Sequence, residues 1–175
     1  MIKKLDKASF SFMLMNMKII KELEDLQGEM QEWRRDIHAH PEIAFEEHRT
    51  AQIVADKLES FGIEVETGIA GTGVVGTLRK GMGNRSIGLR ADLDALLINE
   101  TNDFEYKSKN PGQMHACGHD GHTTMLLGAA KYLSEQGNFD GTVNFIFQPA
   151  EENEGGGRVM IEDGLFDKYP VESVY

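Results

Sequence analysis

The sequence predicts a layered α/β fold. Helix-period apolar patterns alternate along the chain with short segments rich in β-branched residues, which is the order expected when helices pack on a sheet. The chain has 175 residues, 40% of them hydrophobic, which is enough to bury a core of domain size.

Apolar residues spaced by three and four positions predict the helices. These segments cover residues 19–37, 51–61, 121–135 and 158–162. We expect Glu46 and Glu47 in the first turn of the second helix and Gly62 at its end. Asp120 is the predicted N-cap of the third helix.

Short β-branched segments between the helices predict the strands. They cover residues 63–67, 73–78, 86–90, 142–147 and 171–175. The fourth segment, with Val143, Phe145, Ile146 and Phe147, is of the kind buried in a sheet centre and is ended by Pro149. The fifth begins a strand at the last residues, so we expect the sheet to be incomplete at the C-terminus.

Charge and cysteine content restrict the partners and the compartment. The net charge of −11, from 29 acidic and 18 basic residues, disfavours nucleic acid and anionic lipid as partners. Cys117 is the one cysteine, so no internal disulfide requires an oxidising compartment, and we expect a cytoplasmic protein. No segment has the roughly 20 apolar residues of a membrane span. We interpret residues 1–16 as an N-terminal extension upstream of a start at Met17, because their apolar run is too short for a secretory signal.

The densest group of metal-binding residue types lies between Met114 and His122. Thiolate and imidazole are ligands for zinc and its transition-metal neighbours. In an extended stretch Cys117 and His119 point to the same side, so both can reach one metal. The alternative is that Cys117 is a small apolar residue and the histidines are surface or capping groups.

A second group follows the central strand and contains Glu151 and Glu152. Ligands of open α/β sheets bind at the carboxyl ends of strands. Adjacent carboxylates project in different directions, so one can bind a metal while the other acts as general base. A solvated acidic loop is the alternative, although it does not explain the position directly after a central strand.

Two further groups are less specific. Asp92 and Asp94 stand at the end of a predicted strand and could orient a ligand histidine, or form a simple turn or a helix N-cap. His38 and His40 stand at the predicted end of the first helix, where capping is the expected role.

Four segments in this order and spacing resemble the hippurate hydrolase and indole-acetyl-amino-acid hydrolase branch of the aminoacylase-like metallopeptidases. The segments are residues 35–42, 89–96, 114–122 and 147–157, and the resemblance covers about residues 18–175. It implies a zinc-peptidase-like catalytic domain with a mixed central sheet flanked by helices. Residues 17–175 would be the N-terminal portion of that domain, without the lid and dimerisation domain.

The resemblance also implies roles for individual residues. Cys117, His119 and Glu152 would be metal ligands, and Glu151 the general base. Asp92 matches the aspartate of the superfamily's His-x-Asp motif, which would orient a ligand histidine. Arg90 replaces the histidine of that motif, a departure shared with this branch. The family takes two further histidine ligands from regions beyond residue 175.

The implied reaction is hydrolysis of the amide bond of N-acyl amino acids by a metal-activated water. The implied cofactors are two divalent metal ions, zinc or manganese, with cobalt or nickel as alternatives. The full-length family enzyme would be a homodimer. Because ligands are missing, we expect impaired activity in this chain, and a non-catalytic metal-binding or interaction module is one alternative. A cysteine hydrolase that uses Cys117 is the other.

Overall fold

A four-stranded mixed sheet forms the centre of the protein in a computed structural model that describes residues 20–175. The strands are β1 (Glu64–Ile69), β2 (Gly73–Lys80), β3 (Ser86–Asp92) and β4 (Gly141–Gln148). Their order in the sheet is β1-β2-β4-β3. β2 runs antiparallel to both β1 and β4, whereas β3 and β4 are parallel. The predicted extension at residues 1–16 lies outside the described residues.

Helices cover both faces of the sheet. Helices α1 (Lys21–Ala39), α2 (His48–Ser60) and α3 (His119–Gln136) pack on one face, and the short helices α4 (Gly156–Glu162) and α5 (Leu165–Lys168) follow β4. In β4, Phe145 and Phe147 join the core beneath the long helices, while Ile146 joins a smaller core that includes α4 and α5. The layered α/β fold with a mixed sheet is therefore confirmed, and β4 is the doubly buried strand that its apolar sequence predicted.

Two predictions at helix starts were wrong. Helix α2 begins at His48, after Glu46 and Glu47, and Glu47 is completely buried. The N-cap position of α3 is Gly118, whereas Asp120 lies inside the first turn with its carboxylate buried. Both acidic side chains bind partners distant in sequence, so their neighbours in the chain could not reveal their positions.

The last residues run alongside β3, but residues 171–175 form an isolated bridge at Val174 in place of the predicted strand. The backbone N–H of Gly88 donates to the carbonyl of Ser173, and the N–H of Tyr175 donates to the carbonyl of Gly88. The bridge between Gly88 and Val174 is parallel.

Parallel pairing of β3 with β4 determines where polar residues collect. Asp92 at the end of β3 stands in register with Gln148 at the end of β4. The loops that follow both strands therefore leave the sheet at the same edge, and α3 begins beside them.

Among the residues that the structure describes, none of the helices has both the length and the apolar character needed to cross a bilayer.

Candidate metal centre

Cys117, His119 and Glu152 meet at this edge of the sheet. One donor atom from each of the three side chains lies within 4.8 Å of the other two. His119 Nε2 is 3.6 Å from Glu152 Oε1. His119 is buried, Glu152 is partly buried and Cys117 is exposed, so the group opens to solvent on the cysteine side.

A glycine turn brings the thiol beside the imidazole. Gly118 has φ 91°, a left-handed conformation that a residue with a Cβ adopts only with strain, and α3 starts at the next residue. The stretch from Cys117 to His119 is therefore not extended throughout, contrary to the prediction. The turn nevertheless places Cys117 and His119 in one group.

The loop after β4 is held tightly where it carries the two glutamates. Ala150 has φ 52° and its N–H donates to Glu47 Oε1 at 2.8 Å. A Cβ on Gly156 would stand 1.8 Å from the carbonyl oxygen of Pro149, so this position requires glycine. The chain therefore turns back immediately after Glu152 and its neighbours, and α4 begins.

Asp94 orients the buried imidazole. His119 Nδ1 donates to the Asp94 carbonyl oxygen at 2.9 Å and lies 3.2 Å from Asp94 Oδ1. The other carboxylate oxygen of Asp94 accepts the N–H of Glu152 at 3.0 Å. With Nδ1 bound in this way, Nε2 is the nitrogen left for a metal.

Asp92, which was expected to orient a ligand histidine, is hydrogen-bonded to His122 and Arg90. Its Oδ1 is 3.7 Å from His119 Nε2, too far for a hydrogen bond, and 2.8 Å from His122 Nδ1. Its Oδ2 accepts from Arg90 at 2.9 Å. Asp92, His119 and His122 form a second group with metal-ligand spacing. This group shares His119 with the group of Cys117 and Glu152, and the ring has one nitrogen, Nε2, left for a metal. The two groups are therefore alternative binding sites for one ion.

Proton affinities in the site follow from this crowding of carboxylates. Burial opposes a charge on His119, but the hydrogen bond to Asp94 and the charges of Asp92 and Asp94 outweigh it and raise the pKa of the imidazole. The Glu152 carboxylate, followed by burial and the other nearby carboxylates, raises the pKa of Cys117 to about 11. Cys117 alone is therefore a protonated thiol near neutral pH, which disfavours the cysteine hydrolase alternative.

The donor set fits a divalent cation of the zinc type. Thiolate, imidazole and carboxylate are the ligand types that zinc takes in proteins. Glu152 Oε1 is buried and has no hydrogen-bond partner in the described part of the chain, a costly state that a cation would relieve. A cation would also offset the repulsion among the carboxylates and favour the thiolate of Cys117.

Glu151 lies beside this group without belonging to it. Its Oε2 is 3.9 Å from His119 Nε2, and the side chain is 41% exposed. Glu152 Oε1 is 3.6 Å from the same nitrogen, so both carboxylates approach His119 Nε2, and Glu152 is the less exposed of the two.

The other singled-out histidines lie away from the group. His40 Nδ1 donates to the carbonyl of Asp36 at 2.8 Å, in keeping with the expected capping role. For His38 the capping prediction was wrong, since its ring is buried between Asp120 and Glu100. His115 is also buried, and burial lowers its pKa to about 4.

Sequence reasoning missed the role of Glu47. Its Oε1 accepts the N–H of Ala150, and its Oε2 accepts the hydroxyl of Thr72 at 2.5 Å. Burial raises the pKa of this carboxyl group. No local signal distinguishes Glu47 from an ordinary acidic residue near a helix start.

Fold and site together define an α/β domain with a candidate metal centre at the carboxyl edge of its sheet. The chain belongs to peptidase family M20/M25/M40, whose model matches residues 88–175. That range contains every member of the candidate metal centre, and the match confirms the family relationship predicted from the four segments.

Named relatives are consistent with this assignment. The chain is 55% identical over 159 residues to a hippurate hydrolase of Campylobacter jejuni, covering 91% of this chain and 41% of the relative. It is 46% identical over 147 residues to an N-acyl-L-amino acid amidohydrolase of Geobacillus stearothermophilus, covering 83% of this chain and 40% of the relative.

A solved structure gives the same result for the fold. The Bacillus subtilis YXEP protein, described as a dinuclear metal binding peptidase from the M20 family, matches with a TM-score of 0.81 and 37% identity. The match covers 86% of this chain and 42% of the YXEP chain. The present chain thus spans about two fifths of the length of these relatives.

Proposed function

We propose that this chain is the metal-binding portion of an amidohydrolase that cleaves the amide bond of N-acyl amino acids with a metal-activated water. The convergence of Cys117, His119 and Glu152 on one point is the observation that carries the proposal. The two named amidohydrolase relatives support the choice of substrate class.

The cofactors in this proposal are two divalent ions, zinc or manganese, with cobalt or nickel as alternatives. When bound, such ions supply a Lewis acid that polarises the substrate carbonyl and lowers the pKa of water. Cys117, His119 and Glu152 would hold one ion, because they present a thiol, the Nε2 of a fixed imidazole and an unpartnered carboxylate oxygen. The description of the YXEP protein as dinuclear supports the number of two.

Glu151 is the proposed general base. Its carboxylate stands 3.9 Å from His119 Nε2 and is accessible to solvent, so it can reach a water molecule in the mouth of the site. It would take the proton of that water as the oxygen attacks the amide carbon, and return the proton to the departing amine. Asp94 contributes by accepting from Nδ1 of His119, which orients the ring and leaves Nε2 as the nitrogen that faces the site.

The proposed partner is a small N-acyl amino acid, and the proposed compartment is the cytoplasm. The net charge of −11 argues against nucleic acid, and the single Cys117 leaves no disulfide to require oxidising conditions. A homodimer is proposed for the longer family enzyme.

The test is turnover of hippurate and N-acetyl amino acids by the 175-residue chain with added Zn²⁺, Mn²⁺ or Co²⁺. We expect release of the free amino acid to depend on added metal and to stop when a chelator removes the metal. Glu151→Gln should lower the rate by about 10²- to 10⁴-fold while leaving metal affinity intact. Glu154→Gln, an exposed acid of the same loop, is the control.

If the chain binds metal tightly and releases no amino acid from any of these substrates, it is a non-catalytic metal-binding module. If it turns over substrate equally after metal removal, the metal assignment fails.

A further inference from the structure

His38 joins three parts of the structure that surround the candidate metal centre. It lies near the end of α1 and is 5% exposed. Its Nδ1 is 2.8 Å from Asp120 Oδ2, in the first turn of α3, and its Nε2 is 3.1 Å from Glu100 Oε1, in the loop after β3. The sequence motif containing His38 has no part in the proposed function so far.

The bond from His38 Nδ1 fixes Asp120, which is adjacent to the proposed ligand His119. Asp120 directly follows His119, and its carboxylate is fully buried. Asp120 Oδ2 also accepts from Arg34 Nε at 3.1 Å, while Oδ1 has no partner among residues 20–175. Fixing the side chain of Asp120 fixes the first helical turn from which His119 projects.

His38 also packs against the other flank of the metal-binding stretch. The His115 ring lies 6.3 Å from the His38 ring, centroid to centroid, and Cys117 follows two residues later. His115 is buried, and neither of its ring nitrogens has a hydrogen-bond partner within the described residues. Packing therefore holds the His115 side chain, while backbone hydrogen bonds pair the preceding residue, Met114, with Leu96.

Stacked aromatic rings close the cluster from outside. Phe104 and Tyr106 stack at 4.2 Å, and both rings lie within 6 Å of the His38 ring. Glu100 Oε2 accepts the N–H of Ser108 at 2.5 Å, which ties this loop together. These contacts fix the His38 ring, so that it can in turn fix the position of Asp120.

We propose that His38, through its Nδ1 bond to Asp120, is a positioning residue that sets the relative placement of Cys117 and His119. This inference rests on the proposed metal ligands. A purely structural role would instead make both ring nitrogens equally important, because each one binds a buried carboxylate.

A pair of substitutions separates the two roles. In His38→Asn the amide nitrogen can replace Nδ1 and keep the bond to Asp120. In His38→Gln the longer amide can replace Nε2 and keep the bond to Glu100. Each variant loses one hydrogen bond to a buried carboxylate, so stability alone does not distinguish them.

The measurement is Co²⁺ binding to the 175-residue chain, followed by the thiolate-to-cobalt charge-transfer absorption. We expect His38→Gln to weaken Co²⁺ affinity by about 10-fold, the lower end for residues that support metal ligands, and to reduce the charge-transfer band. We expect His38→Asn to bind like the unsubstituted chain. Thermal unfolding of the metal-free variants reports stability separately.

A surface variant keeps the test decisive if the buried substitutions prevent folding. Arg34→Gln removes the second bond to Asp120 from a side chain that is 52% exposed, and should weaken Co²⁺ binding in the same direction. Arg85→Gln, which removes an exposed arginine paired with Glu172, should have no effect.

Equal losses of affinity in His38→Asn and His38→Gln, or no loss in His38→Gln and Arg34→Gln, would overturn the positioning role while leaving the proposed ligands in place. If the unsubstituted chain gives no charge-transfer band with Co²⁺, the ligand proposal fails, and the role of His38 fails with it.

Discussion

The carboxylate of Asp94 accepts the backbone N–H of Glu152 at 3.0 Å. The same carboxylate lies 3.2 Å from Nδ1 of His119, so one buried side chain contacts two of the three proposed ligands from behind. The hydrogen bonds to His119 and to the loop backbone outweigh burial and lower the pKa of Asp94, which favours the charged form at neutral pH.

We therefore expect Asp94→Ala to weaken metal affinity by about 10- to 100-fold, because the support behind both ligands is lost. The backbone carbonyl of Asp94 would still accept from His119, so binding should not vanish. Competition with a metal-binding dye measures the affinity. Asp140→Ala is the control, since Asp140 also accepts two backbone N–H groups but in a distant turn. A similar loss in both variants would refute the role of Asp94.

The thiol of Cys117 should react slowly with iodoacetamide at neutral pH in the metal-free chain. Its pKa is raised to about 11, so the reactive thiolate is scarce at pH 7 and the rate should climb as pH rises toward that value. Glu152→Gln removes the first cause of the shift and should increase the rate at pH 7. Rapid alkylation of the unsubstituted chain at pH 7 would restore the cysteine hydrolase alternative.

Acid should destabilise the protein through His115. Burial, opposed in part by Asp120, lowers the folded-state pKa of His115 from 6.5 to about 4, so the unfolded chain binds the proton more readily. The contribution of His115 to the free energy of unfolding is fully present above its unfolded-state pKa of 6.5. It falls by up to about 3 kcal/mol as the pH drops from 6.5 through about 4.

Urea unfolding of the metal-free chain at pH 7 and pH 4.5 measures this loss. His115→Gln removes the titrating group, so the difference between the two pH values should shrink relative to the unsubstituted chain. An unchanged difference would mean that other groups cause the acid sensitivity.

Glu47→Ala should lower the free energy of unfolding by about 2–4 kcal/mol, because the buried N–H of Ala150 and hydroxyl of Thr72 lose their acceptor. Glu46→Ala is the matched control, since Glu46 is the adjacent glutamate and its side chain is exposed. Chemical denaturation of both variants checks the expectation. Equal effects would show that Glu47 does not hold the loop after β4.

The fold could be predicted because its signals are local. An apolar run marked β4, spaced apolar residues marked α1, and the layered arrangement follows from their alternation. The proposed ligands could be identified for a related reason, since Cys117 and His119 are neighbours in the chain and Glu152 follows a central strand.

The supporting contacts could not be predicted in this way. His38 and Asp120 are separated by 82 positions, and Glu47 and Ala150 by 103. Each of these side chains has an ordinary local interpretation, as a cap or a first-turn acid. Only the folded chain shows that His38, Asp120 and Glu47 are buried and bind residues around the candidate site.

Parallel pairing of β3 with β4 also bears on the time course of folding. Cys117 and His119 are neighbours in the chain, but Glu152 joins them only after α3 has formed the crossover and β4 has found its place in the sheet. Such non-local pairing is slow to form. A metal ion that needs all three donors would find them only in the native state. Metal should therefore lengthen the lifetime of the folded protein while leaving the folding rate nearly unchanged.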